Sequence, residues 1–349
     1  MSDDTFPSRR VTIQNVAFVG CRAVVPGHAV TMDELVALAP DEKSREELLR
    51  AAQMSGLDVR YKAKPATTAG DMCVAAARKL LEDLRWSPDS VDLLVVANVT
   101  PDDLIPPTGY QIHSCLGLSK QCVVLDTIIG CSGYTHGLFL AASLLEKGAL
   151  KRALLVTGDT LSRTIAPADL KSGSLLGDAG TATALEFTEG TAPMYVLLGS
   201  DGSNSQCIRQ PGRGYRESDS PPYFQMDGVK VFTFSHGIVP KLLQATMRHA
   251  DTSIEQIDSV CLHQANLMIL DAISKQGRLP REKVVNTLRL YGNCGSASIP
   301  LALCETFSSS GHEGPLRLLL AGFGLGLSWS SVLMQAAANS FGAVMHEDL

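Results

Sequence analysis

Three residues of this chain have side chains and settings suited to covalent chemistry. Cys131 stands in Leu125-Asp-Thr-Ile-Ile-Gly-Cys-Ser-Gly-Tyr-Thr-His-Gly-Leu138, where an apolar strand ends, Gly130 turns the chain and a long apolar helix begins just after the thiol. The positive end of a helix dipole favours thiolate, the nucleophilic form of cysteine. The other reading of Cys131 is a buried inert thiol, since free cysteines commonly pack as small apolar residues. His263 lies in Leu262-His-Gln-Ala-Asn266 at the end of an apolar strand, a place that equally suits a satisfied core histidine. Asn293, in Tyr291-Gly-Asn-Cys-Gly-Ser-Ala-Ser-Ile-Pro300, serves as well for an ordinary turn asparagine. Each is weak alone, but all three fall at strand or helix ends, where α/β proteins build their sites.

The elements that must position them repeat. Ser-Pro-Asp-Ser-Val-Asp-Leu-Leu-Val-Val from Ser87 resembles Ser-Ile-Glu-Gln-Ile-Asp-Ser-Val-Cys-Leu from Ser253, 166 residues later. Arg152-Ala-Leu-Leu-Val-Thr-Gly158 resembles Arg317-Leu-Leu-Leu-Ala-Gly322, 165 residues later. Two matches in one order at nearly one offset imply an internal duplication, here halves 1–190 and 191–349 sharing a central helical layer. The offset carries Cys131 onto Ser296, so the turn of Cys131 and the turn of Asn293 are expected to face one another. Around them, short apolar strands alternate with helix-period stretches, the pattern of an α/β protein. Thr12–Val19 reads as one strand, Thr31 with Glu34 as a capping-box helix start, and Thr67–Leu84 as an amphipathic helix ahead of the strand Leu93–Ala97.

Composition narrows the class. The 349 residues are 45% hydrophobic and 19% charged, which suits a large core and excludes a disordered or collagen-like chain. A formal charge of -6 argues against a dedicated nucleic-acid binder. Nine cysteines form no CxxC pair, so neither a zinc ribbon nor a redox dithiol is expected. Free thiols and a start, MSDDTFPSRR, without an apolar core point to the cytoplasm. Leu318–Met345 holds no charge, but its glycines and serines read as two buried strands around a turn, not a membrane span. That Gly322-Phe-Gly-Leu-Gly326 turn precedes a strand-like run, so it is no dinucleotide loop.

The block around Cys131, Gly177-Asp-Ala-Gly180, His263-Gln-Ala-Asn266, Tyr291-Gly-Asn293 with Ser296-Ala-Ser-Ile-Pro300, and Gly322-Phe-Gly-Leu-Gly326 together resemble β-ketoacyl-acyl carrier protein synthase III of the thiolase superfamily. The likeness runs in order over nearly the whole chain. Asn293 as third member and the compact length set it apart from relatives using Cys-His-His or Cys-His-Cys, and from longer chalcone-synthase-type enzymes. The resemblance implies a duplicated five-layer α-β-α-β-α fold and a homodimer. It implies an acyltransferase whose Cys131 takes an acyl group from a coenzyme A or acyl carrier protein thioester, with no metal and no bound cofactor. His263 and Asn293 would hold the enolate left when a malonyl-type thioester loses carbon dioxide, as the step before Claisen condensation. The backbone N–H groups of Cys131 and Leu325 would form an oxyanion hole. Phe323 would press on the malonyl carboxylate, and Ile105 would reach into the partner's acyl pocket.

The chain also departs from the family pattern. Arg50 and Met54 stand where a Trp and an Arg are expected to sandwich adenine, Leu170 and Met268 replace arginines, and Thr233 replaces a lysine of the carrier-docking face. Lost positive charge alters the surface that would meet phosphates or an acidic carrier. This points to a specialised, secondary-metabolite member, with the chemistry kept and the delivery surface changed. Two other activities stay open: passing the Cys131-bound acyl group to a hydroxyl or amine, and serving as a non-catalytic subunit of a heterodimer.

Overall fold

The computed structural model describes residues 6–312 and 314–349; the charged start of the chain, up to residue 5, lies outside the described residues. The first half carries β1 (Arg9–Ile13), β2 (Val16–Pro26), β3 (Ala29–Thr31), β4 (Val59–Tyr61), β5 (Leu93–Ala97), β6 (Val123–Thr127), β7 (Arg152–Thr160) and β8 (Asp178–Phe187). The second carries β9 (Met194–Ser200), β10 (Ile208–Arg209), β11 (Gln225–Met226), β12 (Ser259–Leu262), β13 (Pro315–Gly324), β14 (Ser328–Ala337) and β15 (Met345–Glu347). Thr12–Val19, expected as one strand, is two. Asn15 takes a left-handed φ of 61°, which asparagine tolerates, and the break sends β1 to β9 and β2 to β8.

The same pairing order occurs twice. In one sheet β6 and β7 flank β5 in parallel, then β8 and β2 follow antiparallel. In the other, Val284 bridges to β12 and β13 pairs with it in parallel, then β14 and β9 follow antiparallel. The duplication reaches single hydrogen bonds. Asp92, just before β5, takes the Arg152 N–H on its carboxylate and gives its own N–H to the Arg152 carbonyl; Asp258, just before β12, does the same with Arg317. A single parallel pair, Ala336 opposite Phe18, joins the two sheets.

Helices Gly133–Leu145 and Ser298–Phe307 lie between the sheets and pack on strands of both. Ala69–Leu84 and Thr108–Leu116 cover the outer face of the first sheet, and Gly228–His249 packs on that of the second, with Leu267–Gly277 against it. The result is five layers, α-β-α-β-α. The central layer is apolar along its length: Leu138, Ala141, Ala142 and Leu145 meet Ile299, Leu301, Ala302 and Leu303 in one buried cluster. That cluster fixes where the two helices begin, and so where Cys131 and Ser296 stand. Among the described residues no helix is long and apolar enough to cross a membrane.

Candidate active site

Cys131 stands two residues before the helix Gly133–Leu145, half-buried under the turn that joins β13 to β14. A Cβ built on Gly324 would lie 3.0 Å from the Cys131 Cβ and 3.2 Å from its Sγ, so that turn passes directly over the thiol. The backbone N–H groups of Leu325 and of Cys131 itself favour the ionised sulfur. Ser328 holds this arrangement: its Oγ donates to the Leu325 carbonyl at 2.7 Å and lies 2.7 Å from Ser132 Oγ. The two residues expected to supply an oxyanion hole are therefore the ones whose backbone N–H groups act on the Cys131 sulfur.

The electrostatics depart from the expectation of a ready thiolate. Burial pushes the Cys131 thiol up to about 11, and the Asp159 carboxylate adds to the rise against the two backbone N–H groups. The helix start is therefore outweighed by desolvation, and the resting residue is a neutral thiol.

His263 directly follows β12, and its N–H continues the ladder to the Ala321 carbonyl at 2.8 Å. The neighbouring motif residues fix it. Buried Gln264 donates to the Leu262 and Val285 carbonyls and accepts from the Thr287 N–H, while Asn266 caps the helix Leu267–Gly277 through the Ile269 N–H. The imidazole is 2% exposed and stands edge-on to the Phe323 ring, centroids 5.8 Å apart. Burial pulls its pKa down to about 4, against an opposing pull from the Gly295 backbone, so it is neutral at neutral pH. Its Nδ1 is buried without a hydrogen-bond partner.

Asn293 is pinned through its backbone between Leu175 and Gly177, giving its N–H to the first at 2.9 Å and accepting from the second at 3.0 Å. Its Oδ1 takes the Gly295 N–H at 3.0 Å, which turns Nδ2 towards the Ala265 carbonyl, 3.4 Å away and beside His263. Asn293 thus turns its amide towards the residue two after His263, and Phe323 joins His263 to the Gly324 turn over Cys131. The two reactive turns do face each other: a Cβ on Gly133 would lie 3.3 Å from that of Ser296.

Ile105 is elsewhere on this chain. It is 77% exposed, in the loop between β5 and the helix Thr108–Leu116. His136 bonds back to the Ser132 carbonyl within its own helix and has a structural role. Among the described residues no group of three or more His, Cys, Asp or Glu is placed to hold a metal ion. One buried group escaped the sequence reading. Asp159, 0% exposed near the end of β7, binds Ser296 beside the Asn293 turn and the Val99–Thr100 turn that backs Cys131, and the visible signal was an acidic residue closing an apolar repeated strand.

Two family models match the chain: the 3-oxoacyl-[acyl-carrier-protein (ACP)] synthase III description over residues 125–202, and its C-terminal description over 247–336. A β-ketoacyl-[acyl-carrier-protein] synthase III of Prochlorococcus marinus is 34% identical over 334 residues, covering 92% of this chain and 96% of that one. The chain belongs to the ketosynthase III family. A solved 3-oxoacyl-(acyl-carrier protein) synthase from Burkholderia xenovorans superposes with a TM-score of 0.94 at 34% identity, covering 98% and 99% of the two chains. The priming β-ketosynthase of the R1128 polyketide pathway superposes with a TM-score of 0.84 at 26% identity, covering 93% and 97%. The five-layer thiolase-type fold is thus shared with solved ketosynthases III, and the chain is an enzyme of the condensing-synthase class.

The departures noted in the sequence are surface residues of this ketosynthase. Arg50 pairs with Glu46 at 3.2 Å on its own helix, and Met54 and Met268 are exposed. The Met54 helix ends against the start of the Met268 helix, where a Cβ on Gly56 would lie 3.0 Å from that of Leu267. Thr233 turns its hydroxyl back to the Val229 carbonyl.

Proposed function

We propose that Cys131, His263 and Asn293 carry a decarboxylative Claisen condensation. The observation that supports this best is the Gly324 turn passing over the Cys131 sulfur, with Phe323, its neighbour in β13, edge-on to His263, and the Asn293 amide oriented by Gly295 towards the Ala265 carbonyl. Cys131 Sγ adds to the carbonyl of an acyl thioester, losing its proton as the departing thiolate gains one, and the acyl group stays as a thioester on the enzyme. A malonyl-type thioester then enters. Its carboxylate leaves as carbon dioxide, and the electron pair of the broken bond becomes an enolate whose oxygen accepts from His263 and Asn293 Nδ2. Phe323 keeps that carboxylate in apolar surroundings, which disfavours the charged group and favours its loss. The enolate carbon attacks the acyl carbonyl, the backbone N–H groups of Cys131 and Leu325 hold the oxyanion, and collapse releases a β-ketoacyl thioester and the Cys131 thiolate, which takes a proton from water to restore the thiol. Electrons come from the broken C–C bond, so the cycle uses no metal and no cofactor.

A neutral His263 suits this role, because it donates a hydrogen bond without bringing a charge that would trap the carboxylate. The acceptor is an acyl carrier protein thioester, and the exposed methionines where cations are expected favour a carrier-borne donor over coenzyme A, in a secondary-metabolite setting in the cytoplasm. The active unit is a homodimer: β6 is an edge strand with Val123 exposed on it and Ile128 just after it, and Ile105 is exposed in the loop after β5, free for a partner's pocket. The test is to follow carbon dioxide and product mass together, with an acyl donor and malonyl-carrier protein. Carbon dioxide with a two-carbon-longer β-ketoacyl product supports condensation. Acyl transfer to a hydroxyl or amine without carbon dioxide favours the simpler transferase.

A further inference from the structure

The offset that relates the two halves carries Asp159 of β7 onto Gly324 of β13, just as it carries Cys131 onto Ser296. The two turns are thus built alike and finished differently. Over Cys131 the counterpart position is glycine, which leaves room at the sulfur. Against Ser296 it is an aspartate, whose side chain fills the corresponding space and binds: Oδ2 accepts from Ser296 Oγ at 2.7 Å and from the Ser296 N–H at 3.2 Å. Oδ1 accepts from the Val99 N–H at 2.7 Å and from the N–H and hydroxyl of Thr100, each at 3.1 Å. Five donors on one carboxylate of zero exposure are more than folding of either turn requires.

What those donors belong to is the point. Val99 packs beside Gly130, within 3.4 Å of a Cβ there, so the Val99–Thr100 turn backs the Cys131 turn. Ser296 follows Gly295, whose N–H orients Asn293 Oδ1. We propose that Asp159 is the positioning residue of this site, a buried latch that fixes the Asn293 turn against the Cys131 turn and so sets where the enolate forms relative to the acyl carbonyl. Burial raises the Asp159 carboxyl itself against its five donors, and its ionised form opposes ionisation of Cys131. The inference rests on the condensation reading for its kinetic arm, but its alkylation arm does not.

Two variants test it, Asp159→Asn, which keeps the shape and removes the charge, and Ser296→Ala, which removes one bond and leaves the carboxylate. Both are compared with wild type in malonyl decarboxylation, in Cys131 acylation and in the pH midpoint of Cys131 alkylation by iodoacetamide, with melting measured alongside. A misplacement of about 1 Å costs on the order of a hundredfold in rate, so a roughly tenfold or greater fall in decarboxylation kcat is expected in each variant. KM is expected within about twofold and acylation to fall less. In Asp159→Asn the alkylation midpoint moves to lower pH. If both variants keep kcat within twofold per folded molecule and only melt earlier, Asp159 is structural and the proposal is wrong. An unmoved midpoint in Asp159→Asn also counts against it. If Asp159→Asn fails to fold, Ser296→Ala alone decides the kinetic arm. If wild type itself releases no carbon dioxide, the condensation reading fails, while the midpoint still reads the action of Asp159 on the thiol.

Discussion

A methyl group on Gly324 separates two ideas about the turn over Cys131. Gly324 sits at φ 146°, a conformation that essentially only glycine adopts, and such a residue costs on the order of 1–3 kcal/mol when forced to carry a side chain. At roughly 2 °C per kcal/mol for a chain of this size, Gly324→Ala lowers Tm by about 2–6 °C. The methyl also lands 3.0 Å from the Cys131 Cβ and 3.2 Å from Sγ, closer than ordinary contact. An incoming carbonyl must reach about 3–3.5 Å from the sulfur, so acylation falls roughly a hundredfold or more. Gly190→Ala is the control: φ is 76°, and nothing lies within 4 Å of the added methyl. It is expected to cost about 1–2 kcal/mol and leave acylation unchanged. The assay is thermal melting paired with the rate of mass gain from an acyl thioester. Should Gly324→Ala acylate at the wild-type rate, the turn does not lie over the reacting sulfur and the account of the site is wrong.

Other outcomes follow from the same geometry. With its thiol pushed up to about 11, roughly one Cys131 in ten thousand is ionised at pH 7; peptide-resolved alkylation should rise about tenfold per pH unit up to pH ~10, and a plateau below pH 8 would contradict the desolvated site. Since His263 gains a proton only near pH 4, its neutral form persists down to about pH 5, and decarboxylation that halves near pH 6.5 through His263 would show a solvated imidazole instead. His263→Ala and Asn293→Ala should each lower malonyl decarboxylation by about 10²–10³ while the acyl adduct on Cys131 still forms; loss of the adduct would assign them to the first step. Ile128→Asp, at the exposed end of the edge strand β6, should shift sedimentation from dimer to monomer, and an unchanged dimer would place the interface elsewhere.

Much of the fold was legible because it repeats. The strand Leu93–Ala97 and its copy Ser259–Leu262 were readable as short apolar runs after a turn, and their shared offset brought Cys131 opposite Ser296 before any coordinates did. The boundary at Asn15 was not readable, since an asparagine inside an alternating run gives no sign of which backbone basin it occupies. The chemistry-bearing residues stood out by type and by place at element ends. Their ionisation did not, because the charge on Cys131 depends on burial by the Gly324 turn, nearly 200 residues away, and the sequence showed only the helix that favours thiolate. Asp159 went unnoticed for a related reason. Its five donors come from Val99, Thr100 and Ser296, and only the fold brings those three together. Ile105 is exposed on this chain, and the role expected for it concerns a proposed second copy, which a single sequence does not display.

The central claim is that Cys131 carries the acyl group. Intact-mass measurement after incubation with a panel of acyl-coenzyme A and acyl-carrier protein thioesters, with Cys131→Ala alongside, addresses it directly. The account predicts one acyl mass on wild type from at least one donor and none on the variant. An adduct that persists in Cys131→Ala, or no adduct from any donor at concentrations above ~1 mM, would contradict it.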